Sequence, residues 1–295
     1  MKSLLVIFLS LTAMRTSHAA TLTWSELSTE PLPAKVASIA YGKDPLQFGE
    51  LRLPKGAGSF PVVVIIHGGC WLNSFSYEHI TRISQAFADE GIAAWTLEYR
   101  RLGDKGGGWP GTFLDAAAGT DHLRVLAKKY PLDLKRVVAL GHSAGGHLAL
   151  WLASRESLPK SSALYVRNPL KLAGVVPLAA ISDLKTYSKG PPDSCNSAVA
   201  KLMGGEPSEV AQRYAEASPR ERLPLKVPAR FIHGDMDSIV PLKQSADFVS
   251  AANRESVQMT TVEGVGHFEL VSVQSVSWRT VLAAVKELTA VRTTR

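Results

Sequence analysis

The sequence predicts an α/β fold: a mostly parallel eight-stranded sheet with helices on both faces. Three observations lead there. Short, continuous apolar runs such as Pro61-Val62-Val63-Val64-Ile65-Ile66 suit strands covered on both faces, as in a parallel sheet. These runs alternate with longer amphipathic stretches, the order that builds a doubly covered sheet. Finally, Gly141-His142-Ser143-Ala144-Gly145-Gly146-His147 lies between the apolar run Val137-Val138-Ala139-Leu140 and a helix-forming stretch, Leu148 to Ala153.

The elements follow in chain order. Thr21 to Lys35 is polar and proline-bearing and reads as a lead-in segment. Val36–Tyr41 and Leu46–Leu53 read as paired strands around the turn Gly42-Lys43-Asp44-Pro45. Pro61–Ile66 is the next strand, Glu78–Glu90 an amphipathic helix burying Ile80, Ile83, Phe87 and Ala88, and Ile92–Leu97 a further buried strand. Gly106 to Gly111 is a loop. Thr112–Lys129 reads as one long helix burying Phe113, Leu123, Val125 and Leu126. After the serine segment, Leu172–Ala179 is the sixth strand. From 185 to 223 prolines, glycines and two modest helical patches replace the alternation, which predicts a small cap inserted after that strand. Val227–Ile232, a helix over Gln244–Asn253, the strand Val257–Val262 and a helix over Ser275–Val291 complete the chain.

The length of 295 residues allows one or two domains, and the cap has no core of its own, so a single domain over 20–295 is expected. The formal charge of +7 is spread in short clusters such as Lys128-Lys129 and Arg100-Arg101, without interleaved aromatics, which argues against a nucleic-acid surface. Met1-Lys2, the apolar run Leu4 to Leu11 and the small residues of Ser17-His18-Ala19-Ala20 have the layout of a secretory signal peptide, covering 1–19. The run is too short to span a bilayer, so no stable membrane insertion is expected after cleavage. Export, to the periplasm or beyond, places the only cysteines, Cys70 and Cys195, where disulfides persist. A bond between them would pin the cap to the 67–71 loop; the alternative is two buried thiols.

A serine between Gly141 and Gly145 on a strand-to-helix turn is held in a strained conformation with its hydroxyl lifted above the strand ends. Serine needs a base and an orienting acid to act as a nucleophile. Ser143, Asp237 and His267 occur in the order expected for such a sheet, each at the carboxyl end of a strand. Asp237 is preferred to Asp235 because it lies deeper in the turn. Among the eight histidines His267 alone follows the acid. Gly68-Gly69 after a buried strand can aim backbone N–H groups, so those of Gly69 or Cys70 and of Ala144 are the expected oxyanion hole. His67 reads as a loop anchor. Trp71 reads as a pocket wall or as core, Trp109 as a substrate-facing aromatic or a loop staple, and His142 completes the candidate pocket.

With these motifs on the page, residues 62–270 resemble the α/β-hydrolase superfamily. His67-Gly68-Gly69-Cys70-Trp71 is similar to the H-G-G-x-W motif of kynurenine formamidase-like and feruloyl/acetylxylan esterase-like (BD-FAE) hydrolases, although the formamidases usually carry an aromatic residue where Cys70 stands. His233-Gly234-Asp235-Met236-Asp237 and Gly266-His267-Phe268 match the superfamily's acid and base loops. The resemblance implies an α/β-hydrolase fold, no metal and no organic cofactor. The function expected is an exported serine esterase acting on a small-molecule ester of a small acyl or aryl group. An amide hydrolase, arylformamidase-like or prolyl-oligopeptidase-like, is the alternative, and a non-catalytic binding module the second. The sequence leaves the oligomeric state open.

Overall fold

The computed structural model describes residues 21–191, 195–252 and 256–290. The signal peptide expected over 1–19 lies outside them. A short helix α1 (Trp24–Thr29) precedes the strands β1 (Ser38–Ala40), β2 (Phe48–Arg52) and β3 (Phe60–Ile66). Then come α2 (Thr81–Asp89), β4 (Ala93–Leu97), α3 (Gly111–Asp121), α4 (Leu123–Leu126), β5 (Leu132–His142) and α5 (Ala144–Ser154). After β6 (Gly174–Leu178) the chain makes three short helices, α6 (Leu184–Tyr187), α7 (Asn196–Met203) and α8 (Ala211–Ala217). It closes with β7 (Ala229–Gly234), α9 (Lys243–Ala251), β8 (Val257–Val262) and α10 (Ser277–Thr289). The eight strands form one sheet in the order β1-β2-β4-β3-β5-β6-β7-β8. β2 runs antiparallel to β1 and β4, and β3 to β8 are mutually parallel.

The apolar runs are continuous because both faces of the sheet are covered. Along β3, Val62, Val64 and Ile66 join Trp95, Phe113, Leu148 and Trp151 in one core. The intervening Val63 and Ile65 join Ile83, Phe87, Leu140, Val281 and Val285 in the other. Val199, Leu202, Met203, Tyr214 and Ala217, from the segment between β6 and β7, merge with the first core, so that segment has no separate interior.

Two expectations are corrected. The long helix over 112–129 is two helices parted at His122, because the turns beyond it tighten: Val125 N bonds His122 O at 2.8 Å and Lys128 N bonds Val125 O at 3.2 Å. That winding turns Val125 outward, 54% exposed rather than buried. Residues 21–35 are more than a lead-in. Thr23 and Glu26 form a capping box on α1, and Leu27 is fully buried. Leu22 N donates to Glu269 Oε1 at 2.6 Å, and the Trp24 ring lies edge-on to Phe75 and His79.

Candidate active site

Ser143 sits between β5 and α5 with φ 56° and ψ −120°, a left-handed conformation that ordinary residues avoid. The surrounding glycines have steric reasons. A Cβ on Gly145 would lie 2.1 Å from Ile66 O, and one on Gly141 would lie 2.1 Å from Gly145 O. Removing those side chains lets α5 start directly above β3 and β5. Ser143 N donates to Leu178 O at 2.8 Å, which ties the turn to β6.

The loop after β3 comes in against this turn. A Cβ on Gly68 would meet His142 O at 2.8 Å and Ser143 Cβ at 3.1 Å, so only glycine allows the approach. Gly69 has φ 100°, Cys70 54° and Trp71 57°, three successive left-handed residues that turn the backbone back on itself. Among the described residues the N–H groups of Gly69, Cys70 and Ala144 have no protein acceptor. Beneath the loop, His67 is fully buried, 2.8 Å from Glu98 Oε1, and stacked on Tyr99. It is an anchor. Burial alone would raise the Glu98 carboxyl, but His67, Arg101 and the Tyr99 N–H hold it below its ordinary range.

Asp237 lies in the turn after β7 with its side chain wholly buried. Its Oδ1 accepts from Ile239 N at 2.8 Å and Val240 N at 2.9 Å, and its Oδ2 faces His267 Nδ1 at 2.7 Å. Burial works against its ionisation. Hydrogen bonds from His233 and His267, the charge of His267 and the Val240 N–H overcome that and hold the carboxyl far below the usual carboxylate range. Asp235 has a different task, accepting from Gly264 N at 2.7 Å to close the neighbouring turn.

His267 follows β8, with its ring centroid 4.3 Å from that of His142, the residue before the serine. The imidazole therefore stands beside the turn that carries Ser143. Among the described residues no hydrogen bond joins Ser143 Oγ to His267 Nε2. Such contacts commonly tighten only when substrate is bound.

The candidate pocket residues are placed elsewhere. Trp71 is fully buried in the core, edge-on to His147, because its left-handed backbone turns the ring inward. Trp109 is a staple. Its N–H bonds Leu202 O at 2.8 Å, and its ring packs on Phe113 with the Arg213 guanidinium 5.7 Å from its centroid. His142 is buried, and its Nε2–H donates to His267 O at 3.0 Å. A cavity of about 1290 Å³ is bounded instead by Cys70, Phe75, Ser182, Tyr187, Ser238 and Ile239 among others, and Ser143, Asp237 and His267 are not among its lining residues. Phe75, Tyr187 and Ile239 carried no sequence signal of a pocket: Phe75 lies in a loop, Tyr187 ends the short helix α6, and Ile239 follows the acid turn. Cys70 and Cys195 are disulfide bonded. Among the described residues no cluster of three or more His, Cys, Asp or Glu side chains could hold a metal ion, and no helix is long and apolar enough to cross a membrane.

The BD-FAE family model matches residues 50–251. Over 244 residues the chain is 24% identical to Esterase LipC of Mycobacterium tuberculosis, covering 78% of this chain and 58% of that protein. It is 23% identical over 203 residues to LipM of the same organism, a probable carboxylic ester hydrolase, covering 68% of this chain and 47% of that one. The chain thus spans about half the length of these curated relatives. Among solved structures, a truncated carbohydrate esterase from gut microbiota matches with a TM-score of 0.73 at 20% identity, covering 88% of this chain and 97% of that one. The Est2 esterase of Thermogutta terrifontis matches with a TM-score of 0.67 at 19% identity, over 88% and 95% of the two chains. The fold is that of the α/β-hydrolases.

Proposed function

The chain belongs to the BD-FAE family, and from that premise we propose that it is an exported serine hydrolase cleaving carboxylic esters of small acyl or aryl groups. Ser143 is the nucleophile, His267 the base and Asp237 the acid that orients it, with N–H groups of Gly69, Cys70 and Ala144 as the oxyanion hole. The observation that carries this reading is the 2.7 Å contact between Asp237 Oδ2 and His267 Nδ1. A carboxylate fixed on both oxygens holds the Nδ1–H tautomer, which leaves Nε2 unprotonated and ready to accept the serine proton.

Catalysis then runs in two halves. His267 takes the proton of Ser143 Oγ as the oxygen attacks the ester carbonyl. The oxyanion develops between the Ala144 N–H at the amino end of α5 and the N–H groups of the glycine loop, backbone donors that bond no other protein group among the described residues. The protonated histidine hands its proton to the leaving alcohol, and the acyl-enzyme forms. Water, deprotonated by the same ring, releases the acid.

Ser143 is only 2% exposed, which favours a short acyl chain, whereas the cavity reached past Cys70 and Ser238 has room for a larger alcohol portion against α6 and α7. The leader-like residues 1–19 and the disulfide support export. The carbohydrate esterase among the structural neighbours makes an acetylated carbohydrate a natural trial substrate. The test is hydrolysis of p-nitrophenyl acetate, butyrate and octanoate by wild type and Ser143→Ala, with a fluorophosphonate to capture the nucleophile. The acetate rate should be the highest, the variant inactive, and the adduct on Ser143. An equal rate in the Ser143→Ala variant would overturn the proposal.

A further inference from the structure

Cys70 belongs to two structures at once. Its backbone N–H is one of the unpaired donors beside Ser143, and its sulfur is bonded to Cys195, 125 residues away. Cys195 is the residue immediately before α7, 4% exposed and packed in the main core. The α7 helix is itself immobilised: Val199 and Leu202 are fully buried, Leu202 O accepts from Trp109 N at 2.8 Å, and Asn196 Nδ2 donates to Tyr187 O. One end of the bond is therefore a rigid post.

The other end needs one. Of the three successive left-handed residues, Gly69 adopts its φ without penalty, and Trp71 is locked by complete burial of its ring. Cys70 is neither. It has a side chain that disfavours φ 54°, and it is only half-buried among the residues that line the cavity. Its side chain is fixed by the bond to Cys195, with the neighbouring Leu72 N to Gly69 O hydrogen bond at 2.8 Å closing the same turn. We propose that Cys195 is a positioning residue for the oxyanion hole: through the disulfide it holds the Cys70 peptide in the orientation that aims its N–H at the developing oxyanion. Transition-state stabilisation is then conditional on the oxidised state of this one bond. The inference rests on the serine-hydrolase reading and deepens it.

The experiment is reversible reduction of the wild-type enzyme. Dithiothreitol delivers two electrons, becomes its own cyclic disulfide and leaves two protein thiols, which are counted by a thiol reagent. Activity on p-nitrophenyl acetate is followed at a temperature where circular dichroism is unchanged by reduction. A misaimed donor approaches the effect of a lost one, so kcat should fall by about tenfold or more, towards the 10²–10³-fold known for deleting an oxyanion donor, with KM nearly constant. Reoxidation should restore it. The double variant Cys70→Ala/Cys195→Ala should match the reduced enzyme and lose no more than either single variant, since both side chains act through one bond. A cysteine pair that served stability alone would lower the melting temperature and leave kcat of the folded enzyme untouched. Full kcat with two titrated thiols, or with the double variant, overturns the proposal. If instead the oxidised wild type is inactive and fluorophosphonate leaves Ser143 unlabelled, the hydrolase reading itself fails.

Discussion

The Nε2–H of His142 donates to the backbone carbonyl of His267 at 3.0 Å, with the two rings 4.3 Å apart. The residue preceding the proposed nucleophile thus fixes the main chain of the proposed base, 125 positions later. A catalytic imidazole is positioned by its backbone as well as by its acid, and this bond supplies the first.

His142→Ala should therefore slow chemistry without removing any reacting atom. The lost bond costs the fold about 1–3 kcal/mol, and the base it leaves misplaced should lower kcat by about ten- to a hundredfold. Steady-state kinetics on p-nitrophenyl acetate checks it, and an unchanged kcat would remove His142 from the machinery.

The two aspartates after β7 are separable. Asp237→Asn stabilises the wrong histidine tautomer and should lower kcat by about 10⁴-fold. Asp235→Asn weakens only the Asp235 Oδ1 to Gly264 N bond. It should cost about 1 kcal/mol of stability and leave kcat near wild type. The reverse ranking of the two rates would transfer the acid's role to Asp235.

Gly145→Ala places a methyl group 2.1 Å from Ile66 O and 2.4 Å from His67 O, both backbone atoms that cannot swing away. Helix α5 would have to lift off β3, so the substitution should destabilise the protein by at least about 3 kcal/mol, readable by urea denaturation. A near-native midpoint would mean that the elbow is looser than its packing indicates.

Stability should fall in mild acid. Burial pushes His147 down to about 4 and, with the charge of His67, His79 down to about 3; burial and His267 keep His142 well below its ordinary range. In the unfolded chain each titrates near 6.5. Below that pH the unfolded state binds protons that the folded state does not, so stability decreases as pH decreases, by up to about 1.4 kcal/mol per pH unit for each histidine. Asp237 adds a loss of the same sign lower down: its contribution is complete above about pH 3.9 and fades as the pH drops towards its depressed folded value. The melting temperature should decline steadily from pH 6.5 to 4, and a flat profile would contradict the burial of these rings as neutral groups.

The sheet was legible because its signals are local: uninterrupted apolar runs mark strands covered twice, and glycines mark the points where α5 and the loop after β3 make contact. Ser143, Asp237 and His267 were proposed from their order along the chain, and of the three the structure joins Asp237 to His267 by a hydrogen bond. Side-chain direction was not legible. Nothing in Trp71 or His142 announces that a left-handed backbone or a partner carbonyl draws the ring away from the cavity. Glu98, which supports the glycine loop from below, is one unremarked acid at a strand end. Its role depends on β4 lying beside β3, a fact of topology. Leu22, Trp24 and Leu27 are too sparse among polar neighbours to read as packed residues.

Those last three residues make the two ends of the described chain unequal. Leu22 is hydrogen bonded to Glu269 and Trp24 lies 5.8 Å from Phe268, both just beyond His267, so a fusion partner attached at residue 21 is delivered beside the proposed base. At the far end, Leu288 of α10 crowds Gly174, the first residue of β6, on the edge of the sheet remote from Ser143. An affinity tag or immobilising linker belongs there, where it leaves the loop of the proposed base unobstructed.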